Sequence, residues 1–228
     1  MFFSPFDIIM IPALIITIWS QWKLRSTYAR YAEVQSTSGL SGAEVARAIL
    51  DGEGLQSVPI EEVEGELSDH YDPRTRSVHL SSGIYHGTSL AALGVAAHET
   101  GHAIQHKVAY APLHLRMAII PITNFASGAA PFLVLGGFIV PTAFKMLLDL
   151  AILLFSVAVF FQLVTLPVEY NASRRAEERL ATMGVVTAGE AVGVRKVLSA
   201  AALPYVAALV VAVLQLLRLL AIRNSRDD

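Results

Sequence analysis

Cysteine is absent from all 228 residues. That excludes disulfide bridges and any thiolate-held metal, and leaves His, Asp and Glu as the available ligands. Charge is scarce as well: Lys, Arg, Asp and Glu make up 16% of the chain, with a formal net charge of −2. No basic stripe is present, which argues against nucleic acid as a partner. There is no internal repeat and no low-complexity stretch. The first apolar run also lacks the form of a cleaved signal peptide, since no Lys or Arg precedes it and no small-residue cleavage site follows. It ends instead in Trp19, Trp22, Lys23 and Arg25, an aromatic and basic anchor suited to a membrane interface.

What is abundant is apolar. Hydrophobic residues are 54% of the chain and the mean hydropathy is +0.53, too apolar for an ordinary water-soluble domain. Four runs are long enough to cross a bilayer, at about residues 3–19, 118–140, 146–166 and 200–221. The expected fold is a mainly α membrane protein, with about four transmembrane helices and a small α+β domain on one face. Its expected parts are a first span (1–22), a catalytic segment (23–116), a transmembrane hairpin (117–166), a helix carrying a metal ligand (167–198), a fourth span (199–222) and a tail (223–228). Most Lys and Arg fall in the two polar segments, with only Lys145, Arg218, Arg223 and Arg226 on the opposite side. The positive-inside rule then places the catalytic face in the cytoplasm and both termini outside. Asp149 and Arg218 lie toward that outer side and are expected to pair, because a charge at that depth is costly alone.

The chemistry is concentrated in Ala97-His98-Glu99-Thr100-Gly101-His102-Ala103. Two histidines four apart share one face of a helix, and the glutamate beside the first reaches the same point. In a catalytic zinc site both imidazoles ligate the metal and the carboxylate handles the attacking water. Gly94 and Gly101 let other groups come close to this helix. Upstream, Ser41 to Glu44 reads as a capping box opening a helix that Gly52 and Gly54 stop. A short strand is expected at 58–63, at an edge or beginning at Pro59. The turn Asp72-Pro73-Arg74-Thr75 joins a strand near 66–70 to one at 76–80. Thr88 or Ser89 caps the motif helix, which is expected to run until Pro112. Val78, His79 and Leu80 form either a candidate edge strand on which a substrate could lie by main-chain hydrogen bonds, or an ordinary packed strand with Val78 and Leu80 inward.

A catalytic zinc takes three protein ligands and keeps one open position. The chain returns to the catalytic side just after the third apolar run, where Pro167 is expected to break that helix and aim Glu169 at the metal. Glu177 and Glu178 are rivals, though Arg174 and Glu178 have the spacing of a solvated helical ion pair. His106 stands too far along its helix axis to share the centre.

Three separated elements now coincide: Asp69-His70-Tyr71-Asp72-Pro73, the His98–His102 motif, and Pro167-Val168-Glu169-Tyr170-Asn171-Ala172-Ser173-Arg174-Arg175-Ala176. Together they resemble the YugP-type neutral zinc metallopeptidases of bacterial membranes, over nearly the whole chain. More distantly they are similar to the HtpX and CAAX prenyl endopeptidases, gluzincins in which a glutamate on a later helix completes the site. Those relatives carry Glu-x-x-Ala-Asp, the aspartate orienting a ligand histidine; here Ala172 matches and Ser173 replaces the aspartate. The resemblance implies proteolysis but supplies no substrate; one Zn2+ per chain, a peptide or membrane-protein substrate and a multi-pass protein of the bacterial inner membrane are expected.

The expected reaction is peptide-bond hydrolysis with Glu99 as general base. His70 and Tyr71 are the first candidates for oxyanion stabilisation and Arg174 the second; Ser173 is the candidate partner of a ligand histidine. Two other readings compete. An intramembrane-type zinc protease needs the motif inside a continuously apolar span, whereas His106 and Lys107 follow it directly. A non-catalytic zinc-binding membrane scaffold has no use for Glu99.

Overall fold

The computed structural model of the chain describes residues 8–225. The start of the first expected span, at residues 3–7, lies outside the described residues. From Met10 the run continues as helix α1 (Met10–Ala32), past the Trp and Lys anchor without a break. Among the described residues, three helical stretches are long and apolar enough to cross a membrane: Ala111–Gly137, Pro141–Thr182 and Ala188–Asn224. They belong to α5 (Ala111–Ile139), α6 (Phe144–Thr182, entered by a 3-10 turn at Pro141–Ala143) and α7 (Ala188–Asn224). The architecture is mainly helical, with one small sheet.

Two compact units divide these elements. One comprises Trp22–Leu113 and Pro167–Leu203; the other comprises the described residues up to Gln21, His114–Leu166, and those from Pro204 on. The first unit holds α2 (Gly42–Gly52), three strands, a short α3 (Ser82–Tyr85) and α4 (Leu90–Lys107). Helix α2 opens on a complete capping box, Ser41 accepting from the Glu44 amide while Glu44 reaches back to the Ser41 amide. Ser89 caps α4 by accepting from the Ala92 amide. Val108 is the C-cap of α4, so the helix ends short of Pro112. That proline instead sits in the first turn of α5, where its missing N–H costs nothing.

Helix α4 is buried on nearly every face, because Leu90, Leu93, Ala96, Ala97 and Ile104 meet neighbours all round. A helix apolar on all sides is a core element. One side joins Val45 and Ile49 of α2 with Ala176, Leu180, Val194 and Leu198 of α6 and α7. The other side meets Leu50, Val78, Leu80 and Ile84.

The sheet has the order β1-β3-β2, with β1 Ile60–Val63, β2 His70–Asp72 and β3 Ser77–Ser81. β1 runs parallel to β3 and β2 antiparallel to it. The reading of Val78, His79 and Leu80 as a substrate edge is therefore corrected. Both sides of β3 are already paired, and Val78 and Leu80 are fully buried beneath α4. The edges belong to β1 and β2.

Pro167 also departs from expectation. It lies inside α6 without ending it. Proline removes one main-chain donor, but the packing of Val168, Ala172 and Ala176 against neighbouring elements carries the helix through it. In the second unit, Asp149 Oδ1 accepts from Arg223 Nε at 2.5 Å. The sequence points to Arg218 as its partner; α7 reaches Asn224, and the pair forms farther along it.

Candidate metal centre

Helices α4 and α6 touch where side chains are smallest. A Cβ placed on Gly101 would stand 2.6 Å from the Ala172 carbonyl oxygen, nearer than any packed pair tolerates, so only glycine permits this approach. Glu169 and Ser173 flank Ala172 on the same face of α6, with Ala176 one turn on. The contact therefore delivers both polar side chains to the helix face that carries His98 and His102.

The donor atoms of His98, His102 and Glu169 all lie within 4.8 Å of one another, the only such group among the described residues. Glu169 Oε2 is 3.4 Å from His98 Nε2 and 3.7 Å from His102 Nε2. Neighbouring ligands of a tetrahedral zinc, at metal distances of about 2.0–2.2 Å, stand roughly 3.4 Å apart. The spacing and the N2O donor set fit that metal. Glu177 and Glu178 do not join the cluster. Glu177 pairs with Arg195 at 2.9 Å, and Glu178 with Arg174 at 3.7 Å in the solvated pair their spacing predicts.

Both rings present Nε2 to the cluster because Nδ1 is engaged elsewhere. Ser173 Oγ lies 3.1 Å from His98 Nδ1, and Gln105 Oε1 lies 3.0 Å from His102 Nδ1. Gln105 was missed in the sequence. Its amide nitrogen donates to the Val168 carbonyl at 2.8 Å and to Asn171 Oδ1 at 3.0 Å. This fixes which end of the amide faces the histidine: an oxygen there makes His102 Nδ1 the donor and leaves Nε2 with a free lone pair. Asn171 is held in turn by Arg175 Nε at 2.8 Å. The available signal was position, since Gln105 stands three residues beyond His102 on a helix and Asn171 sits two beyond Glu169.

Glu99 is buried beside the cluster. Desolvation pushes its carboxyl up to about 7; proximity to His98 works the other way, Glu169 and Asp69 add to the rise, and a hydrogen bond from the Tyr71 amide opposes it. Asp69 is itself raised by burial, and it accepts from the amide and hydroxyl of Ser81.

The proposed oxyanion donors fare differently. Tyr71 approaches through its main chain, while its hydroxyl bonds His106 Nδ1 at 2.8 Å. His70 turns to the opposite face of β2, where it stacks on His79 with centroids 4.6 Å apart and bonds the Ser68 carbonyl. It does not join the cluster, because adjacent strand residues point to opposite faces. Arg174 is exposed and paired with Glu178.

Comparison with known proteins agrees with the donor set. The chain is 50% identical, over 98% of its own length and 99% of the relative's, to a Bacillus subtilis (strain 168) protein named "Putative membrane protease YugP". No solved structure matches it. Residues 6–224 match the family described as "Putative neutral zinc metallopeptidase"; the chain belongs to that family, whose metal is zinc.

Proposed function

We propose that this chain is a membrane-bound zinc endopeptidase in which His98, His102 and Glu169 hold the metal and Glu99 is the general base. The observation that carries the reading is the convergence of the donor atoms of His98, His102 and Glu169 between α4 and α6, with Glu99 buried beside them and within charge reach of His98 and Glu169. A bound zinc would polarise the scissile carbonyl and make water acidic enough to ionise near neutral pH. Glu99, buried beside His98, is suited to take that water's proton and return it to the leaving amine. The Tyr71 amide orients the Glu99 carboxylate. Ser173 and Gln105 act through the two histidines, fixing their tautomers and ring planes.

Glu169 follows the apolar run of α6 by only three residues, so the site works close to a bilayer surface. Substrates are then peptides or membrane proteins presented near that surface. The excess of Lys and Arg in the polar segments supports a cytoplasmic position for this face, and the similarity to a membrane protease of Bacillus subtilis supports a bacterial cell membrane.

The test is a casein-type degradation assay with zinc analysis on purified Glu99→Gln. Glutamine keeps size and loses the base, so zinc should remain while hydrolysis falls by roughly 10²–10⁴-fold. Near-normal cleavage by that variant sinks the assignment.

A further inference from the structure

Away from the metal cluster, α1 and α7 bound an open groove of about 660 Å³. Its size is that of a small-molecule site, roughly 300–1,000 Å³. The two helices run antiparallel along it. At one end the Tyr31 ring lies on Gly193, where a Cβ would stand 2.9 Å from that ring. At the other end the walls are Trp22 and Leu203, the points at which both helices turn into their apolar runs.

The walls are chiefly apolar, yet Lys23, Arg30, Arg195 and Lys196 line the same groove, all exposed. Arg195 is paired with Glu177. Lys23, Arg30 and Lys196 form no ion pair among the described residues. Helical spacing puts these cations on the groove face: Lys23 and Arg30 are two turns apart on α1, and Val192, Lys196 and Leu203 share a stripe of α7. An apolar trough with unneutralised cations, opening toward apolar helix ends, matches one ligand chemistry. It is an acyl chain joined to an anionic headgroup.

We propose that this groove is a binding site for one anionic phospholipid. The chain lies toward Trp22 and Leu203, the phosphate is held by Arg30 and Lys196, and Lys23 lines the way in. The site is separate from the zinc chemistry and does not depend on it. Binding there ties the polar unit to lipid through the two helices that lead into the apolar runs.

Native mass spectrometry of the full chain in detergent, titrated with phosphatidylglycerol or with phosphatidylcholine of the same acyl chains, tests the proposal. The unmodified protein should retain one phosphatidylglycerol at least about tenfold more strongly than phosphatidylcholine. The variant Lys23→Gln/Arg30→Gln/Lys196→Gln should lose that preference, since each basic residue near an anionic surface counts for several-fold. Ser199→Trp, which fills the groove without removing charge, should weaken retention of both lipids. Equal retention of the two lipids by the unmodified protein overturns the proposal, whatever the variants do. So does displacement of the lipid by equimolar glycerol phosphate, which would mean an anion site with no chain, or by a substrate peptide, which would make the groove a peptide channel.

Discussion

Helices α4 and α5 are both rich in apolar residues, and they expose them in opposite degrees. Leu93, Ala96 and Ala97 of α4 are fully buried, whereas Phe125, Phe132 and Ile139 of α5 are 70%, 74% and 71% exposed. The difference lies in what surrounds each helix. Two hydrophobic clusters close over α4 from α2, β3, α6 and α7. α5 keeps its large side chains outward, as a helix does when lipid is its solvent. The unit built on α4 can therefore hold polar side chains in a fixed, dry arrangement, and that is where the metal cluster lies. The apolar unit contributes anchorage. If this division is right, substitutions in one unit should leave the other's observable unchanged.

The largest separation should come from Glu169. Glu169→Ala removes one of three donors and leaves two histidines, so zinc content should fall to a small fraction of that in the unmodified protein. Glu177→Ala, which removes only an exposed ion pair with Arg195, should keep zinc near normal. Metal analysis of both variants in the same detergent decides the matter. Equal zinc in the two would remove Glu169 from the site and dissolve the contrast.

Gln105 gives the next effect. Gln105→Leu preserves volume but leaves His102 Nδ1 without its partner, and zinc affinity should drop by about 10–100-fold. Gln105→Glu should restore part of it: a carboxylate accepts the same proton but loses the donations to Val168 and Asn171. Competition with a chelator measures both. Unchanged affinity in the leucine variant would reduce Gln105 to a packing residue.

The apolar unit should give the reverse pattern. Asp149 and Arg223 are both partly exposed, so their pair is worth about 0.2–1 kcal/mol by comparison with surface pairs. Asp149→Asn and Arg223→Gln should each lower the detergent melting temperature slightly, and the double variant should cost less than the two together. Zinc content should stay constant throughout. Strict additivity would break the pairing; a loss of zinc would break the separation of the units.

The features legible in the sequence were those fixed over one or two helical turns. His98 and His102 share a face by spacing alone, Ser41 and Glu44 announce a cap, and Gly101 marks a close approach. The nearness of Glu169 followed from where the chain re-enters the polar side. What was misread depends on packing partners that local sequence does not name. Val78 to Leu80 alternates as an edge strand or a packed one does, and only strand order puts β3 in the middle. Pro167 carries a helix-breaking signal that the packing of Val168, Ala172 and Ala176 overrides. His70 and Tyr71 are adjacent, and only the register with β3 decides which of them faces α4. Gln105 was overlooked because a buried amide has no motif; its meaning comes from Val168 and Asn171, more than sixty residues away.

The smallest effect tests a joint inside the polar unit. Glu190 caps α7 by accepting from the amide and hydroxyl of Thr187, and it also accepts from the Thr37 amide at 2.6 Å and hydroxyl at 3.0 Å. Slight desolvation pushes its carboxyl up, but these four bonds prevail and hold it down at about 2. A folded value below the unfolded one, which for a glutamate is about 4.3, means that the charged form is the stabilising one. The contribution is present above about pH 4.5 and is lost as pH falls toward 2. Replacing Glu190 by Gln should lower stability by roughly 1 kcal/mol at pH 7, the scale of a helix cap facing solvent. Melts at pH 7, 5 and 4 should then show a constant gap between unmodified and variant protein down to pH 5, and a narrowing one below it. A gap that widens on acidification would reverse the sign and show that the neutral acid, rather than the carboxylate, makes these bonds.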